Sequence, residues 1–349
     1  MKLAGILAAL VLTLPLAAAA PLLVPQQGDP DLPAVTAPVA SVQVFLDERF
    51  SFTEGYRTRS MSVPDVEYDR VVLTFQSRPQ GDPWDRLTGV AIGGVACPAA
   101  EPSDTRLAGN AATCTGVSGG VEVLKATTPR ADFTLTKDIT EYASLLPRGG
   151  AQDVSLFLGT WVGAILASVR IDFYVDEPTA ALVAPPADAV VAAQRWAYVG
   201  GTGSESHTIA HFPAVAAATA HVEVRTSGHG ADGEFWYLNA ASAHPVFHVL
   251  VDGAEVGLIV PPPYTYALVG FGTGSVVADT VVNPGMWWTQ QRAADVAGVH
   301  TGVGEIPAYR AEVDAALLPL LTGDRDVAFV VESGGGTWVT SVDLLLNPA

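Results

Sequence analysis

Two stretches of the chain share one pattern and decide its fold. Residues 137–175 are KDITEYASLLPRGGAQDVSLFLGTWVGAILASVRIDFYV, and residues 311–346 are AEVDAALLPLLTGDRDVAFVVESGGGTWVTSVDLLL. Each has an acidic and β-branched start, a Leu-Leu stretch, a turn, an Asp-Val strand, Thr-Trp-Val and a Ser-Val strand. An internal repeat of this length predicts two domains with the same architecture.

Alternation of apolar and polar residues predicts strands through most of the chain. It is clearest in Val66–Phe75, Asp153–Leu158, Ser168–Val175, His221–Arg225, Phe247–Val251 and Asp326–Val331. Only Ile139–Leu146 and Val313–Leu321 are suited to a helical turn or two. The sequence therefore predicts an all-β protein with two antiparallel jelly-roll sandwiches packed side by side.

Strand alternation stops at residues 176–193, where Pro and Ala dominate, and this change divides the chain. We expect a signal peptide over residues 1–20, an N-terminal extension over 21–40, a first domain over 41–177, a linker over 178–193 and a second domain over 194–349.

The first residues, MKLAGILAALVLTLPLAAAAP, have the basic start, apolar run and small residues of a secretory leader. The alternative, a membrane anchor, is disfavoured because the run is short, Ala-rich and without a positive flank. We therefore expect a secreted or periplasmic protein. Its net charge of −18 disfavours nucleic acid and anionic membranes as partners. The acidity fits an ordinary soluble secreted protein or adaptation to an acidic medium.

The chain has two cysteines, Cys97 and Cys114. An even, close pair in an exported chain favours a disulfide over a metal or nucleophile site. Closing a loop of this size contributes roughly 3 kcal/mol.

Two acids stand in aromatic settings. Asp85 lies between Trp84 and Arg86, and Glu234 is followed by Phe235 and Trp236. An aromatic wall desolvates a carboxylate while a guanidinium steadies its charge, as a catalytic or ligand-binding acid requires. The internal repeat puts both acids ahead of the same strand of each domain. Two such loops are expected to face a groove between the domains, where ligand sites are common.

The segments DRLTGVAIGGVACPAAEP, KDITEYASLL and DVSLFLGTWVG resemble the peptide-N-glycosidase A type of glycoamidase, as do GEFWYLN, VDGAEVGLIVP and NPGMWWT. The Trp-Asp-Arg triplet also resembles the catalytic segment of the peptide-N-glycosidase F type, whose fold is two eight-stranded jelly rolls. The resemblance covers about residues 40–347. It implies a secreted amidase that hydrolyses the bond between asparagine and the innermost N-acetylglucosamine of an N-glycopeptide or N-glycoprotein, leaving aspartate.

The resemblance also implies roles for residues. Asp85 is expected to activate or orient the attacking water, Arg86 to hold Asp85 ionised or contact the ligand, and Glu234 to steady the sugar or leaving group. A third acid of the F type aligns with Gly159, where this chain has no carboxylate.

The remaining candidates line the substrate site. Trp84 and Trp236 flank the acids, and His229 precedes Glu234. Trp161 is suited to stacking on the chitobiose core or, since Trp338 repeats it, to core packing. Glu101 matches the A-type pattern or shapes the loop beside Cys97.

No metal or other cofactor is expected, because the sequence has no Cys or acid cluster around the histidines. The serines near them lack a nucleophile elbow, which disfavours a serine hydrolase. The repeat lets one chain form its own groove, which favours a monomer. The competing function is glycan binding without catalysis, since jelly rolls host lectins as readily as enzymes.

Overall fold

The computed structural model places most of the residues that it describes in strands. The described residues are 27–28, 37–51, 55–81, 86–93, 120–128, 132–160, 162–175, 187–199, 203–214, 217–229, 238–239, 246–260, 263–269, 276–282, 304–305, 308–333 and 337–348. The helices among them are two short 3₁₀ turns, Thr140–Leu145 and Leu318–Leu320. The prediction of an all-β fold is confirmed.

Among the described residues, nine strands precede residue 176. They are β1 (Gln27–Gly28), β2 (Ala40–Ser51), β3 (Tyr56–Ser62), β4 (Arg70–Gln80), β5 (Arg86–Ile92), β6 (Val121–Thr128), β7 (Phe133–Asp138), β8 (Ala151–Leu158) and β9 (Ala164–Tyr174). Sheet A has the order β7-β4-β9-β2, with β1 added in parallel beside β7. Sheet B has the order β6-β5-β8-β3.

Twelve further strands follow residue 187. They are β10 (Ala189–Val199), β11 (Ser204–Phe212), β12 (Ala217–His229), β13 (Leu238–Asn239), β14 (Val246–Val251), β15 (Ala254–Ile259), β16 (Pro263–Val269), β17 (Val276–Val282), β18 (Gly304–Glu305), β19 (Tyr309–Glu312), β20 (Gly323–Ser333) and β21 (Thr337–Pro348). Sheet C has the order β10-β21-β12-β19 and sheet D the order β11-β20-β14-β15. Strands β13, β17 and β16 form a small separate sheet, and β18 pairs with β6 of sheet B.

The two halves have one topology. Counting the eight strands β2–β9 from first to eighth, sheet A has the order 1-8-3-6 and sheet B the order 2-7-4-5. The strands β10, β11, β12, β14, β15, β19, β20 and β21 give the same two orders in sheets C and D. Two four-stranded antiparallel sheets connected in this way make a jelly roll. The predicted pair of eight-stranded jelly rolls is confirmed, and we call them the first and second roll.

Each roll encloses its own apolar core. In the first roll, Phe75, Leu156 and Ile171 are fully buried between sheets A and B. In the second, Phe247 and Phe329 stack with ring centroids 5.4 Å apart between sheets C and D. Leu345 of the second roll packs with the core residues of the first. The rolls therefore adjoin through sheet C.

Two strands begin at residues other than those expected. The strand expected over Val66–Phe75 begins at Arg70, and β10 begins at Ala189, inside the segment 178–193 that was expected to be linker. Backbone bonding explains the second case, because residues 189–192 pair antiparallel with β21. The domain boundaries themselves stay a prediction.

A tight hairpin joins β14 to β15. Asp252 and Gly253 form its two-residue loop with φ of 48° and 81°. Left-handed φ at both positions matches the twist of the flanking strands, and Asp-Gly is a preferred sequence for it. Across the described ranges, the search for a helix long and apolar enough to cross a membrane finds none.

Candidate active site and the junction between the rolls

The segment that carries Asp85 leads into one end of sheet B. At this end Leu87 of β5 is paired with Thr127 of β6, and Thr127 is paired on its other side with Gly304 of β18. The backbone N–H of Gly159 donates to the carbonyl of Leu87 at 3.0 Å. Short β18 thus brings the second half of the chain to within one strand of β5.

Arg86 is the first residue of β5. Unlike Asp85, it belongs to the described residues. Its backbone pairs with Thr128, and it is 5% exposed. Side chains alternate along a strand, so Arg86 shares a face with Thr88 and with Val90, which belongs to the core. Arg86 is therefore a buried residue on the inner face of sheet B, at the end of the sandwich.

The segment that carries Glu234 follows β12. This strand ends at His229, whose backbone is paired with Thr337 of β21. In chain order, Asp85 lies between β4 and β5, and Glu234 lies between β12 and β14. These are the third and fourth strands of their rolls, so the two acids occupy equivalent connections.

A cluster of buried charges lies where sheet B meets sheet C. On β6, Lys125 is opposite Gly89 and Glu122 is opposite Ala91. The register shifts between these pairs, so Val123 is an extra residue in β6. This bulge turns Glu122 and Lys125 to one face despite their odd spacing, and Lys125 Nζ lies 3.1 Å from Glu122 Oε2. The small residues opposite them leave room for the long side chains.

Sheet C contributes a row of charges to the same junction. Glu223 of β12 is paired with Arg310 of β19 on one side and with Asp343 of β21 on the other. Arg225, two residues along β12, has Nη1 3.0 Å from Glu223 Oε2 and 3.6 Å from Asp343 Oδ2. Arg310 Nε donates to Glu223 Oε1 at 2.6 Å. Glu223 is thus paired with two guanidinium groups.

Tyr142 joins this row to the first roll. It lies in the 3₁₀ helix Thr140–Leu145, and its hydroxyl donates to Glu223 Oε2 at 2.7 Å while accepting a hydrogen bond from Arg225. Neighbouring Glu141 accepts hydrogen bonds from Arg310 at 2.6 Å. The junction cluster is defined here by seven residues: Glu122, Lys125, Tyr142, Glu223, Arg225, Arg310 and Asp343.

Burial and the neighbouring charges together set the protonation states of the cluster. It alone would raise the pKa of Glu223, but the guanidinium groups of Arg225 and Arg310 outweigh it and lower the pKa to about 2. Burial lowers the pKa of Lys125, partly offset by Glu122. Burial raises the pKa of Tyr142 well above its usual value, so its hydroxyl keeps its proton. Glu223 is therefore a carboxylate and Tyr142 a neutral donor.

The outer face of sheet D carries exposed histidines beside acids. His207 Nδ1 lies 3.0 Å from Asp326 Oδ2, and His211 Nδ1 lies 2.7 Å from Asp324 Oδ1. These pairs are local, and the described part of the chain holds no group of three or more His, Cys, Asp or Glu arranged to bind a metal ion. The hydrogen bond to Asp326 raises the pKa of His207.

Solved structures share this arrangement of rolls. The structure of PNGF-II in its C2 crystal form aligns with a TM-score of 0.58 and 13% identity, covering 89% of this chain and 65% of that one. PNGase F, a glycosylasparaginase from Flavobacterium meningosepticum, aligns with a TM-score of 0.50 and 14% identity, covering 88% of this chain and 96% of that one.

The chain has the PNGase F fold. It spans less than two thirds of the length of PNGF-II. No protein-family model matches it, and no curated protein does.

Within this PNGase F fold, the structure describes few of the predicted site residues. Arg86 is buried at the start of β5, and the backbone of His229 ends β12. The other candidates lie outside the described residues, and their roles stay predictions: Trp84, Asp85, Glu101, Trp161, Glu234 and Trp236, with Cys97 and Cys114 of the expected disulfide.

The junction cluster was missed at the level of sequence. Its signal was present as charged residues inside otherwise apolar strands, such as VEVLK around Lys125 and HVEVR around Glu223. Alternation assigns such residues to the outer face of a sheet, which is ordinarily wet. A second roll covers that face here.

Proposed function

We propose that the chain is an amidase of the peptide-N-glycosidase type. It would hydrolyse the side-chain amide between asparagine and the innermost N-acetylglucosamine of N-glycopeptides or N-glycoproteins. The observation that carries the proposal is the equivalent placement of Asp85 and Glu234, each between the third and fourth strands of its roll, in a chain with the PNGase F fold.

The proposed reaction is an ordinary amide hydrolysis. Water, oriented by Asp85, adds its oxygen to the side-chain carbonyl carbon, and the C–N bond breaks as the nitrogen takes up a proton. The products are a glycosylamine and an aspartate. Glu234 would contact the sugar or the leaving nitrogen. Because Arg86 is 5% exposed, it is better suited to steadying a neighbouring carboxylate than to contacting a sugar at the surface.

The pairing of β18 with β6 supports a site shared by the rolls. It brings chain from the second half beside Thr127, one strand from the residue that follows Asp85. A groove between the rolls at this end of sheet B would accommodate a ligand larger than one roll could hold.

Incubation with an N-glycopeptide in ¹⁸O-labelled water, from acidic to alkaline pH, tests the function. Mass spectrometry should show released glycan and one labelled oxygen in the new aspartate. Asp85→Asn should lower the rate by about 10²–10⁴-fold, the usual contribution of a positioned acid or base. Asp132→Asn is the matched control, because Asp132 is an exposed acid just before β7.

Glycan binding without conversion at any pH would establish the competing function, a secreted glycan-binding protein. Conversion at an unchanged rate in Asp85→Asn would keep the activity and remove the role assigned to Asp85.

A further inference from the structure

The junction cluster ties together the two strands that adjoin the acid-bearing segments. β12 runs from Glu223 and Arg225 to His229, and the segment with Glu234 follows. β6 runs from Glu122 and Lys125 to Thr128, which pairs with Arg86 next to Asp85. A change in the distance between β6 and β12 would therefore move the described strand ends beside which Asp85 and Glu234 lie in the sequence.

Asp343 is the weakly paired member of the cluster. Its side chain is 1% exposed, and the approach of Arg225 Nη1 at 3.6 Å is longer than a hydrogen bond of ordinary length. Within the described residues, neither carboxylate oxygen has a hydrogen bond of ordinary geometry, and a backbone donor, that of Glu122, offsets only part of the effect of burial. Arg225 lies closer to Glu223, at 3.0 Å.

Like charges surround Asp343. Glu223 is its direct cross-strand neighbour on β12, and Glu122 faces it from β6. Like charges directly opposite in a sheet are destabilising, and an ionised carboxylate buried without full pairing is costly. Lys125 also faces it from β6, but its Nζ lies 3.1 Å from Glu122. A proton on Asp343 removes its repulsion with the neighbouring carboxylates and the free-energy cost of burying its charge.

We propose that the junction cluster is a positioning device for the candidate site, and that it holds the rolls together only while Asp343 carries a proton. Ionisation of Asp343 puts an extra negative charge between β12 and β6 and loosens the junction. The positioning role for activity rests on the proposed function, whereas the protonated state of Asp343 does not.

The expected pH dependence follows from the sign of the shift. Burial raises the pKa of Asp343 well above 3.8, against the opposing effects of Arg225 and the backbone of Glu122. The folded state then binds more protons than the unfolded state. The contribution of Asp343 to stability is therefore fully present below about pH 4 and is lost as the pH rises through the folded pKa of Asp343. Lys125, whose pKa is lowered, acts in the opposite direction only above its own folded pKa.

Asp343→Asn tests the proposal because asparagine has the shape of a protonated aspartic acid. Urea unfolding from pH 4 to 9 should show wild type losing stability relative to Asp343→Asn as the pH rises. The matched control is Asp172→Asn, since Asp172 is also buried but accepts hydrogen bonds from Ser41 at 2.6 Å and Arg170 at 2.9 Å. Asp172→Asn should be less stable than wild type. Parallel curves for wild type and Asp343→Asn would overturn the proposal.

Infrared spectroscopy of wild type gives a readout that needs no variant to fold. The carbonyl stretch of a protonated carboxylic acid should persist above pH 4, where an ordinary aspartate is ionised, and disappear on further alkalinisation, together with faster amide hydrogen exchange in β6 and β12. Loss of that band with the midpoint of an ordinary aspartate would overturn the proposal.

Glycopeptide hydrolysis gives the third readout. Asp343→Asn should stay active to higher pH than wild type, with the difference in kcat. Identical pH profiles would overturn the positioning role, whereas no hydrolysis by wild type would remove the proposed function alone.

Discussion

Sheets A and C hold the same position in their rolls but differ in how many of their charges are buried. In sheet A, Arg78 pairs with Asp47 at 2.9 Å where both are exposed, although Arg70 and Asp138 also form a buried pair. In sheet C, three neighbouring charged residues, Glu223, Arg225 and Asp343, are at most 1% exposed. The same strand order thus carries an exposed ion pair in one roll and a buried network of charges in the other.

The difference shows that topology does not decide which face of a jelly roll is covered. Sheet B of the first roll packs on sheet C of the second, so the rolls join through unlike faces. The strand contacts of β6 with β10 and β21 lie at this junction. An exposed charge on sheet A has little effect on the free energy of folding, whereas a buried charge on sheet C destabilises the fold unless a charge of opposite sign or hydrogen bonds compensate it. Variants in matched pairs measure this contrast.

The largest expected effect is the loss of Arg225. Arg225→Met leaves Glu223, Asp343 and the Tyr142 hydroxyl without their shared cation, and removing one partner of a buried pair costs about 3–5 kcal/mol. Arg78→Met on sheet A should cost at most about 1 kcal/mol, because Arg78 and its partner Asp47 are both exposed. Urea unfolding of both variants measures the difference. Equal costs would show that burial of sheet C does not matter.

A smaller effect is expected from the Tyr142 hydroxyl. Tyr142→Phe keeps the ring but removes the donor to Glu223, and leaving buried groups unsatisfied costs about 2 kcal/mol. Tyr56→Phe is the control, since the Tyr56 hydroxyl donates to neutral Ser155 at 2.9 Å and the Tyr56 side chain is only half-buried. The control should lose less than about 1 kcal/mol of unfolding free energy. A control as unstable as Tyr142→Phe would contradict the comparison.

A pair of threonines in sheet C offers a finer test. Thr226 and Thr340 hydroxyls are 2.9 Å apart and buried. Thr340→Val removes this hydrogen bond and should cost about 1 kcal/mol, whereas the double change to Val removes both hydroxyls and should cost less than the two single changes together. A double-mutant cycle by thermal unfolding gives this coupling. Strict additivity would mean that the two hydroxyls do not interact.

The smallest effect is expected on sheet D. The exposed pair of His207 and Asp326 raises the pKa of His207 above 6.5, so its favourable contribution is present at low pH and fades as the pH rises through the folded pKa. Asp326→Asn should move the His207 midpoint in an NMR titration back towards 6.5 and leave the unfolding temperature nearly unchanged. A large loss of stability would show that this face, too, is covered.

The sequence predicted the fold well because the repeat and the alternation are local signals. Alternation found the core face of β14 and β20, and the repeat predicted equal rolls. The junction escaped because Glu122 and Lys125 have odd spacing, which a plain strand would split between its two faces. Only the bulge at Val123 brings them together. Asp85 and Glu234 were chosen from their aromatic settings, but nothing in the triplet around Asp85 shows that Arg86 is buried.

The strand β18 has a consequence for synthesis of the chain. Because Gly304 and Glu305 of β18 pair with Thr127 and Ala126 of β6, a nascent chain shorter than 304 residues leaves this part of the edge of sheet B open, where other chains can add. Domains generally fold from the N-terminus as they emerge. Glu122 and Lys125 then face water beside that open edge, and charged side chains there oppose premature pairing. The charges that end up buried would thus keep the half-made protein soluble until its second roll arrives.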